Sequence, residues 1–276
     1  MKGATGVKAS VHSWPEKHTV LGIGVSATTY DEAVHAIVRA AKEDRPACVT
    51  ALAVHGLVTA TQDPHLAGAI NDFQMVTPDG QPIRWALNRL YRTGLEDRVY
   101  GPELMLRVCR GAAAEGLKVY LYGSHEHVVT TLRTGLLTLY PGLDIVGSEP
   151  SLFRPLAPVE DEALMERISR SGAHIVFVGL GCPLQEQFAH GHRESVRAVQ
   201  ICVGAAFDFH SGNKKMAPSW MQRSSLEWLY RLMQEPRRLG KRYLVTDTLF
   251  LVKLMPYVMG IRRSRRQSFQ NGGHHV

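Results

Sequence analysis

Short apolar, β-rich runs alternate with helix-period segments through most of the chain, and this alternation constrains the fold more than any other feature. Strands separated by helices predict a parallel sheet covered on both faces, because each parallel connection needs a crossover long enough to hold a helix. Ligands of such sheets bind in the loops beyond the carboxyl ends of the strands. The chain is therefore predicted to be α/β, with a Rossmann-like, mostly parallel sheet and strands at Val20–Gly24, Ala47–Thr50, Gln74–Thr77, Lys118–Tyr122, Asp144–Val146, His174–Val178 and Val199–Val203.

The segments between these strands have helical periodicity, and the alternation stops near Ser219. Beyond that point Trp220–Met259 reads as helices without an intervening strand, interrupted at Pro236 and Pro256. We therefore expect a helical C-terminal appendage on the sheet domain. Helices within the sheet domain are predicted at Tyr30–Lys42, Val54–Asn71, Gln81–Arg92, Pro102–Glu115, Val128–Tyr140, Val159–Ser171 and Leu184–Arg193.

The positive charge of the chain is concentrated at one end. Positions 231–276 hold 10 basic and 2 acidic residues, whereas positions 1–230 hold 22 basic and 23 acidic residues. A basic excess confined to a tail indicates an anionic partner: phosphate, acidic lipid or nucleic acid. The four cysteines lack CxxC or zinc spacing, and the N-terminus lacks the apolar run of a secretory signal, so a cytoplasmic location is expected.

Two loops after predicted strands carry charged side chains. Thr77-Pro78-Asp79-Gly80 fixes an aspartate in a turn, where its carboxylate can accept a proton from a substrate hydroxyl. A turn or helix-capping role is the common alternative for such an aspartate. In Arg98-Val99-Tyr100-Gly101-Pro102, the Arg98 guanidinium offers a planar donor fork for phosphate or carboxylate, although most arginines simply face solvent.

The Gly179–Glu186 loop follows an apolar strand and opens a helix. Its glycines, Gly181 among them, allow backbone to approach a ligand, and a helix N-terminus favours anionic groups. Gln185 can hydrogen-bond a nucleotide or a sugar. Cys182 is expected to be a structural thiol, and a plain strand-to-helix turn is the alternative interpretation of the loop.

Two further turns contain small or acidic residues. Tyr122-Gly123-Ser124 suits the close approach of a phosphate or ribose, although many such turns look alike. In the Gly204–Gly212 loop, Asp208 lies between two phenylalanines, which predicts partial burial with either a structural or a catalytic role.

The sequence lacks the motifs that bind several classes of ligand. There is no GxxxxGK[ST], Gly22-Ile23-Gly24 lacks the third glycine of a dinucleotide fingerprint, and no Asp-x-Asp follows a predicted strand. We therefore expect no metal and no cofactor. An NAD-linked oxidoreductase is a weak alternative. Nucleic-acid binding is not expected, because neither aromatic platforms nor a recognition helix is evident.

The basic end divides into two parts. Arg231, Arg238 and Lys241 recur at helical spacing with Arg242 close by, which suits a diphosphate clamp or an ordinary solvated face. The apolar run 248–259 is too short to span a bilayer, and four arginines follow it at positions 262–266, which indicates attachment to an anionic membrane surface. Packing on a partner subunit is the alternative, and a homo-oligomer remains open.

These pieces resemble the bacterial WecG/TagA/CpsF glycosyltransferases, also called glycosyltransferase family 26. The combination is more specific than any one piece. The matching stretches are Val49-Thr50, Thr77–Gly80, Arg98–Pro102, Tyr140–Leu143, Gly179–Glu186, Phe207–Phe209, Leu226–Arg231, Glu235–Leu239 and Arg242-Tyr243.

The resemblance implies an inverting, metal-independent transfer from a UDP-sugar to a sugar on a polyprenyl diphosphate, at the cytoplasmic face of the bacterial inner membrane. It implies a Rossmann-like domain with a GT-E-like helical appendage. Matched residue by residue, Asp79 is the general base and Gln185 joins it in catalysis. The match also places Thr50, Arg98 and Gln185 in the pocket, and Arg231 and Arg238, with Lys241 or Arg242, at the donor diphosphate. The other predicted substrate-binding residues come from their positions in the chain and not from the match: Leu52, two places after Thr50, and Gly123, Ser124, Gly181 and Asp208 in loops after predicted strands.

Two positions depart from the family pattern, since Leu52 stands where Asn is usual and Met216 where Arg is usual. They keep open a non-catalytic alternative, a membrane-attached protein that binds nucleotide sugars without turnover. The expected organisation is a flexible N-terminus, a catalytic domain, a membrane-associating helical appendage and a disordered basic tail, over 1–18, 19–221, 222–260 and 261–276.

Overall fold

The computed structural model describes residues 13–218, 220–221 and 227–259. Six parallel strands form the central sheet in the order β4-β3-β8-β7-β5-β6, and β1 and β2 form a separate antiparallel hairpin. The Rossmann-like parallel sheet predicted from the alternation is confirmed. The strands are β1 Lys17–Val20, β2 Ile23–Ser26, β3 Ala47–Leu52, β4 Met75–Pro78, β5 Lys118–Gly123, β6 Asp144–Glu149, β7 Ile175–Gly179 and β8 Val199–Cys202.

Helices cover both faces of this sheet, because side chains alternate along each strand and both faces are apolar. One core packs β-strand residues against α2, α3, α4, α7 and α8, and the other packs them against α1, α5 and α6. The helices are α1 Tyr30–Lys42, α2 Val54–Ala60, α3 Pro64–Asp72, α4 Gln81–Tyr91, α5 Gly101–Glu115, α6 Glu126–Leu139, α7 Pro158–Arg170, α8 Leu184–Gly191, α9 Ala206–His210, α10 Glu227–Gln234 and α11 Pro236–Val258.

The first predicted strand, Val20–Gly24, is wrong. Leu21 and Gly22 both have positive φ, at 53° and 89°, and form the turn that joins β1 to β2. A strand cannot continue through two left-handed residues, so the segment folds back as a hairpin beside the sheet.

The single helix predicted over Val54–Asn71 is two helices, α2 and α3. Asp63 caps α3 by accepting hydrogen bonds from the backbone N–H groups of His65 and Leu66, and Pro64 occupies the first helical turn. Because a residue before proline disfavours the helical conformation, one helix cannot run through Asp63; α2 ends at Ala60 and α3 begins at Pro64.

The appendage consists of α10 and α11, as expected. Pro236 lies in the first turn of α11 and Pro256 lies near its end without stopping it. Phe250 and Leu254 of α11 are buried in the core shared with α2 and α4. The Lys253 ammonium donates to Thr61 Oγ1 at 2.7 Å, so α11 is fixed to the sheet domain along one side.

Towards the C-terminal end of α11, four apolar side chains are exposed. Among the described residues, no helix is long and apolar enough to cross a membrane. Residues 1–12 of the predicted N-terminal segment 1–18, and the predicted tail 261–276, lie outside the described part of the chain. The prediction of a flexible segment up to residue 18 is wrong at its end, because β1 begins at Lys17 and pairs with β2. The exposed stripe is formed by Leu251, Val252, Met255 and Met259.

Candidate functional site

A cavity of about 500 Å³ opens at the carboxyl edge of the parallel sheet. Residues at or just beyond the ends of β3, β4, β5, β7 and β8 line it, and α10 closes one side. Parallel strands bring their carboxyl ends to one edge, so loops that are distant in sequence meet there. Of the residues predicted from sequence, this cavity brings together Leu52, Asp79, Ser124, Gly181, Gln185, Asp208 and Arg231.

Asp79 directly follows β4. Its Oδ2 accepts a hydrogen bond from the Gly101 backbone N–H at 3.2 Å, at the N-terminus of α5, where a helix favours negative charge. Burial raises the pKa of Asp79 to about 6, although Arg98, Arg231 and the Gly101 N–H oppose that rise. A carboxylate with this pKa is ionised near neutral pH and still basic enough to accept a proton.

Arg98 lies behind Asp79 and is not among the residues that line the cavity. Its guanidinium donates to the Asp79 backbone carbonyl at 3.2 Å and to the Glu227 carboxylate, and it lies 4.4 Å from the centre of the Tyr100 ring. The side chain is 14% exposed. Through these two contacts, Arg98 fixes the Asp79 backbone relative to α10.

Glu227 links Arg98 to Arg231. Its Oε1 contacts Arg231 Nη2 at 2.8 Å, and the same Nη2 donates to the Tyr100 hydroxyl at 2.8 Å. Burial alone would raise the pKa of Glu227, but Arg231 and Arg98 lower it overall. We call Arg98, Tyr100, Glu227 and Arg231 the arginine cluster; it carries one carboxylate against two cations beside the cavity.

A second group lies where α8 packs on β3. Glu186 Oε1 accepts hydrogen bonds from Thr50 Oγ1 and from Gln185 Nε2, each at 2.8 Å, and all three residues are buried. Burial raises the pKa of Glu186 although every neighbouring hydrogen bond lowers it. We call Thr50, Gln185 and Glu186 the neutral cluster. Gln185 and Glu186 line the cavity, whereas Thr50 does not and donates its side-chain hydroxyl to Glu186.

The glycine and serine predicted in the β5 loop have different places. Gly123, at a φ of 127°, packs on the Gly179 backbone, and a Cβ there would come within 2.6 Å of it. Ser124 lines the cavity, while Gly181 has a φ of 78° and lies in open space beside it. Gly123 thus serves close packing of β5 on β7, and Ser124 and Gly181 face the ligand space.

Asp208 lies on the short helix α9, where a loop was predicted. Its carboxylate accepts from Asn213 Nδ2 at 2.6 Å and contacts Lys214 Nζ at 3.7 Å. Lys214 also contacts Glu235 at 3.3 Å, at the junction of α10 and α11. Asp208 is therefore hydrogen-bonded, and its contact with Lys214 links the sheet domain to the appendage.

The helical spacing of Arg231, Arg238 and Lys241 does not place them on one continuous helix, because the chain is interrupted just before Pro236. Arg231 lies on α10 and the other two lie on α11, with Glu235 at φ −132° and ψ 62° between the helices. Arg242 is also on α11. The side chains of Arg238, Lys241 and Arg242 lie outside the described part of the chain.

Sequence reasoning missed Tyr100, Glu186 and Glu227. Glu227 lies four residues before Arg231, a spacing that pairs side chains on a helix, and Glu186 is adjacent to the predicted Gln185. It also missed His125 and Phe153, whose rings stack with centres 4.1 Å apart at the cavity. Their pairing has no sequence signal, because the two belong to loops after different strands.

No group of three or more His, Cys, Asp or Glu side chains suited to a metal ion occurs within residues 13–218, 220–221 and 227–259. The cations beside the cavity are instead arginine and lysine side chains, notably Arg231 and Lys214.

Comparison with known proteins agrees with this geometry. The model of the glycosyl transferase WecG/TagA/CpsF family matches residues 18–265. An N-acetylglucosaminyldiphosphoundecaprenol N-acetyl-beta-D-mannosaminyltransferase of Bacillus subtilis (strain 168) is 32% identical over 66% of this chain and 73% of its own. The protein of that name from Bacillus spizizenii is 32% identical over 65% of this chain and 68% of its own. The chain is a glycosyltransferase and belongs to the WecG/TagA/CpsF family.

Proposed function

We propose that this enzyme transfers a sugar, N-acetylmannosamine-like or a related hexose, from a UDP-sugar to a polyprenyl-diphosphate-linked sugar in cell-surface polysaccharide synthesis. The observation that carries the proposal is the pairing, in one cavity, of an Asp79 carboxylate whose pKa is about 6 with the Arg231 guanidinium. The two Bacillus relatives are named for transfer to a lipid-diphosphate-linked sugar, which supports an acceptor of that class.

Asp79 acts as the general base in this proposal. The acceptor hydroxyl transfers its proton to the Asp79 carboxylate, and its oxygen bonds to the anomeric carbon of the donor. The bond from that carbon to the diphosphate breaks on the opposite face, so the configuration inverts. The Gly101 N–H and Arg98 hold the carboxyl and its backbone in place for the transfer.

In this proposal the arginine cluster stabilises the negative charge of the departing UDP. Fixed cations that face developing negative charge in a site screened from water stabilise the transition state without a metal. Arg231 lines the cavity and is the described residue best placed for this role. Arg238, Lys241 and Arg242 remain proposed diphosphate ligands, because they start the neighbouring helix α11.

Membrane attachment through α11 completes the proposal. The stripe formed by Leu251, Val252, Met255 and Met259 presents apolar surface away from the sheet domain. The sequence that follows α11 contains four arginines, which suits anionic lipid. A peripheral position at the cytoplasmic membrane face would bring the cavity to a lipid-linked acceptor.

A transfer assay with UDP-sugars and a short-chain lipid-diphosphate sugar tests the function. We expect transfer by the full chain and a loss of roughly 10²–10⁴-fold in kcat for Asp79→Asn, because the amide cannot accept the proton. An Asp144→Asn variant, altered at an exposed carboxyl at the start of β6, is the matched control and should transfer normally. Near-normal turnover by Asp79→Asn would refute the base, and the absence of transfer with every donor would refute the function.

A further inference from the structure

Two aromatic side chains at one end of the cavity have no part in the proposed mechanism. His125 follows β5 and Phe153 follows β6, and their rings stack with centres 4.1 Å apart and planes inclined by 25°. Both residues line the cavity. We call them the aromatic pair. Phe153 is 61% exposed, so the stack covers only part of its ring. The pair therefore offers the cavity an open π surface.

The backbone beside this pair is strained. Phe153 has a φ of 52°, and Ser124, which directly precedes His125, has a φ of 57°. Left-handed backbone is costly for a residue with a Cβ, and it persists only where surrounding contacts impose it. The Ser151 N–H donates to the Ser124 carbonyl at 2.9 Å, and the Phe153 N–H donates to Ser151 Oγ at 3.1 Å. Packing does not account for the strain at the exposed Phe153, whereas contact with a ligand does.

The aromatic pair lies at the far end of the cavity from Asp79. A Cβ on Gly101 would lie 3.4 Å from Asp79 Oδ2 and 3.2 Å from the Val203 carbonyl oxygen, so the Asp79 carboxylate reaches the end of β8. In the sheet, β7 lies between β8 and β5, and two strand spacings amount to about 10 Å. A ribose and a diphosphate span a distance of this order.

The floor between the two ends is open. Gly179, Gly181 and Gly204 line the cavity at or after the ends of β7 and β8, and none of them carries a side chain. Arg231 also lines the cavity and lowers the pKa of Asp79 through its charge, so this cation belongs to the Asp79 end. A nucleoside diphosphate that crosses the glycines can place its diphosphate near Arg231 and its base at the aromatic pair.

We propose that Phe153, supported by His125, is the stacking surface for the nucleobase of the sugar-nucleotide donor. The base packs on the exposed ring of Phe153, the ribose crosses the glycines, and the diphosphate lies near Arg231. Phe153 is then a substrate-binding residue. His125 and Ser124 are positioning residues, because they act on the base only through Phe153. The inference rests on the proposed transfer from a UDP-sugar and deepens it by assigning a residue to the base.

A planar base suits this surface better than the transferred hexose does. Every nucleobase has a π face that stacks on an aromatic ring. The hexose has to lie at the Asp79 end of the cavity, because its anomeric carbon reacts with the hydroxyl that Asp79 deprotonates. Phe153 follows β6, which is at the opposite edge of the sheet from β4, the strand that Asp79 follows. The geometry therefore separates the reacting sugar from the aromatic pair.

Equilibrium binding of UDP and of inorganic diphosphate to variants of the full chain tests the assignment. Phe153→Leu keeps an apolar side chain but removes the π surface, and it should weaken UDP binding by about 5-fold or more. Phe153→Tyr keeps the ring and should bind UDP as the wild type does. Inorganic diphosphate has no base, so neither substitution should change its binding.

Leu152→Ala is the matched control. Leu152 directly precedes Phe153 in the same loop, is 50% exposed and does not line the cavity. Its affinity for UDP should equal that of the wild type. The control separates the loss of the ring from a general disturbance of the loop.

Unchanged UDP affinity in Phe153→Leu would overturn the inference, as would an equal loss in Phe153→Tyr, in Leu152→Ala or in the binding of inorganic diphosphate. A loss for the UDP-sugar without a loss for UDP would assign the ring to the sugar and overturn the inference as well. Each of these outcomes leaves the proposed transfer intact. A wild type that binds no UDP would refute the proposed donor together with the stacking surface.

Discussion

The neutral cluster and the arginine cluster each contain a buried glutamate, and the pKa values of the two glutamates are shifted in opposite directions. Glu186 in the neutral cluster receives hydrogen bonds from Thr50 and Gln185, and its pKa is raised. Glu227 in the arginine cluster lies against Arg98 and Arg231, and its pKa is lowered despite its burial. Burial is common to both, so the neighbours decide the charge. One side of the cavity suits neutral polar groups of a sugar, and the other suits phosphates.

Replacing each glutamate by glutamine tests whether the two carboxyls differ in charge. Glu227→Gln should lower the free energy of unfolding by about 3–5 kcal/mol, because two largely buried cations lose their counterion. Glu186→Gln should cost about 1 kcal/mol or less, since an amide can keep both hydrogen bonds on its oxygen. Urea unfolding of both variants at pH 7 measures the difference, and equal costs would show that the two carboxyls carry the same charge.

The difference in unfolding free energy between wild type and Glu227→Gln should also depend on pH. Because the pKa of Glu227 is lowered in the folded state, its stabilising effect is present above the ordinary glutamate range and is lost as pH falls through the folded value. The stability gap between wild type and Glu227→Gln should therefore narrow in acid. A constant gap down to acidic pH would contradict the lowered pKa.

The ionised Asp79 carboxylate should lower the free energy of unfolding, whereas the ionised Glu227 carboxylate raises it. Its folded pKa of about 6 lies above the ordinary value of 3.8, so ionisation of the folded protein is costly above pH 6. Asp79→Asn should therefore raise the free energy of unfolding at pH 8, by up to about 3 kcal/mol, and the gain should shrink as pH falls from 6 to 4. Unfolding curves at pH 8 and pH 4 measure it. A variant less stable than wild type at pH 8 would contradict the cost assigned to this carboxylate.

The smallest expected effect concerns the exposed stripe of α11. Leu251→Ser combined with Met255→Ser should weaken binding to vesicles that contain an anionic phospholipid by about 10-fold, because it removes apolar area from the interface. Leu139→Ser combined with Val159→Ser changes equally exposed apolar residues on α6 and α7 and should leave binding unchanged. Cosedimentation measures both. Equal loss in both pairs, or loss in neither, would argue against α11 as the attachment surface.

The sheet, most helices and several cavity residues could be predicted from the sequence, because they depend on local periodicity and on turns after strands. Asp79, Ser124 and Gln185 each follow a strand, and the parallel fold brings strand ends together. The hairpin at Leu21 and Gly22 was missed because the apolar run continues through the turn without interruption.

What could not be predicted depends on contacts between distant segments. Arg98 was expected to meet a ligand, but Glu227, 129 residues away, holds it below the cavity. Gly123 was expected beside a substrate, but its absent side chain admits the Gly179 backbone. These outcomes are set by packing between elements, which local sequence does not encode.

The pH dependence of kcat/KM for transfer tests the role of Asp79 most directly. With Asp79 as the base, log kcat/KM should rise with a slope of about one below pH 6 and level off above it, and this limb should be absent from the residual activity of Asp79→Asn. Both phosphates of a UDP-sugar and of a lipid-diphosphate sugar are esterified and stay fully ionised from pH 5 to pH 8, so this limb cannot come from the diphosphates of the substrates. A wild-type profile that stays flat from pH 5 to pH 8 would contradict the account.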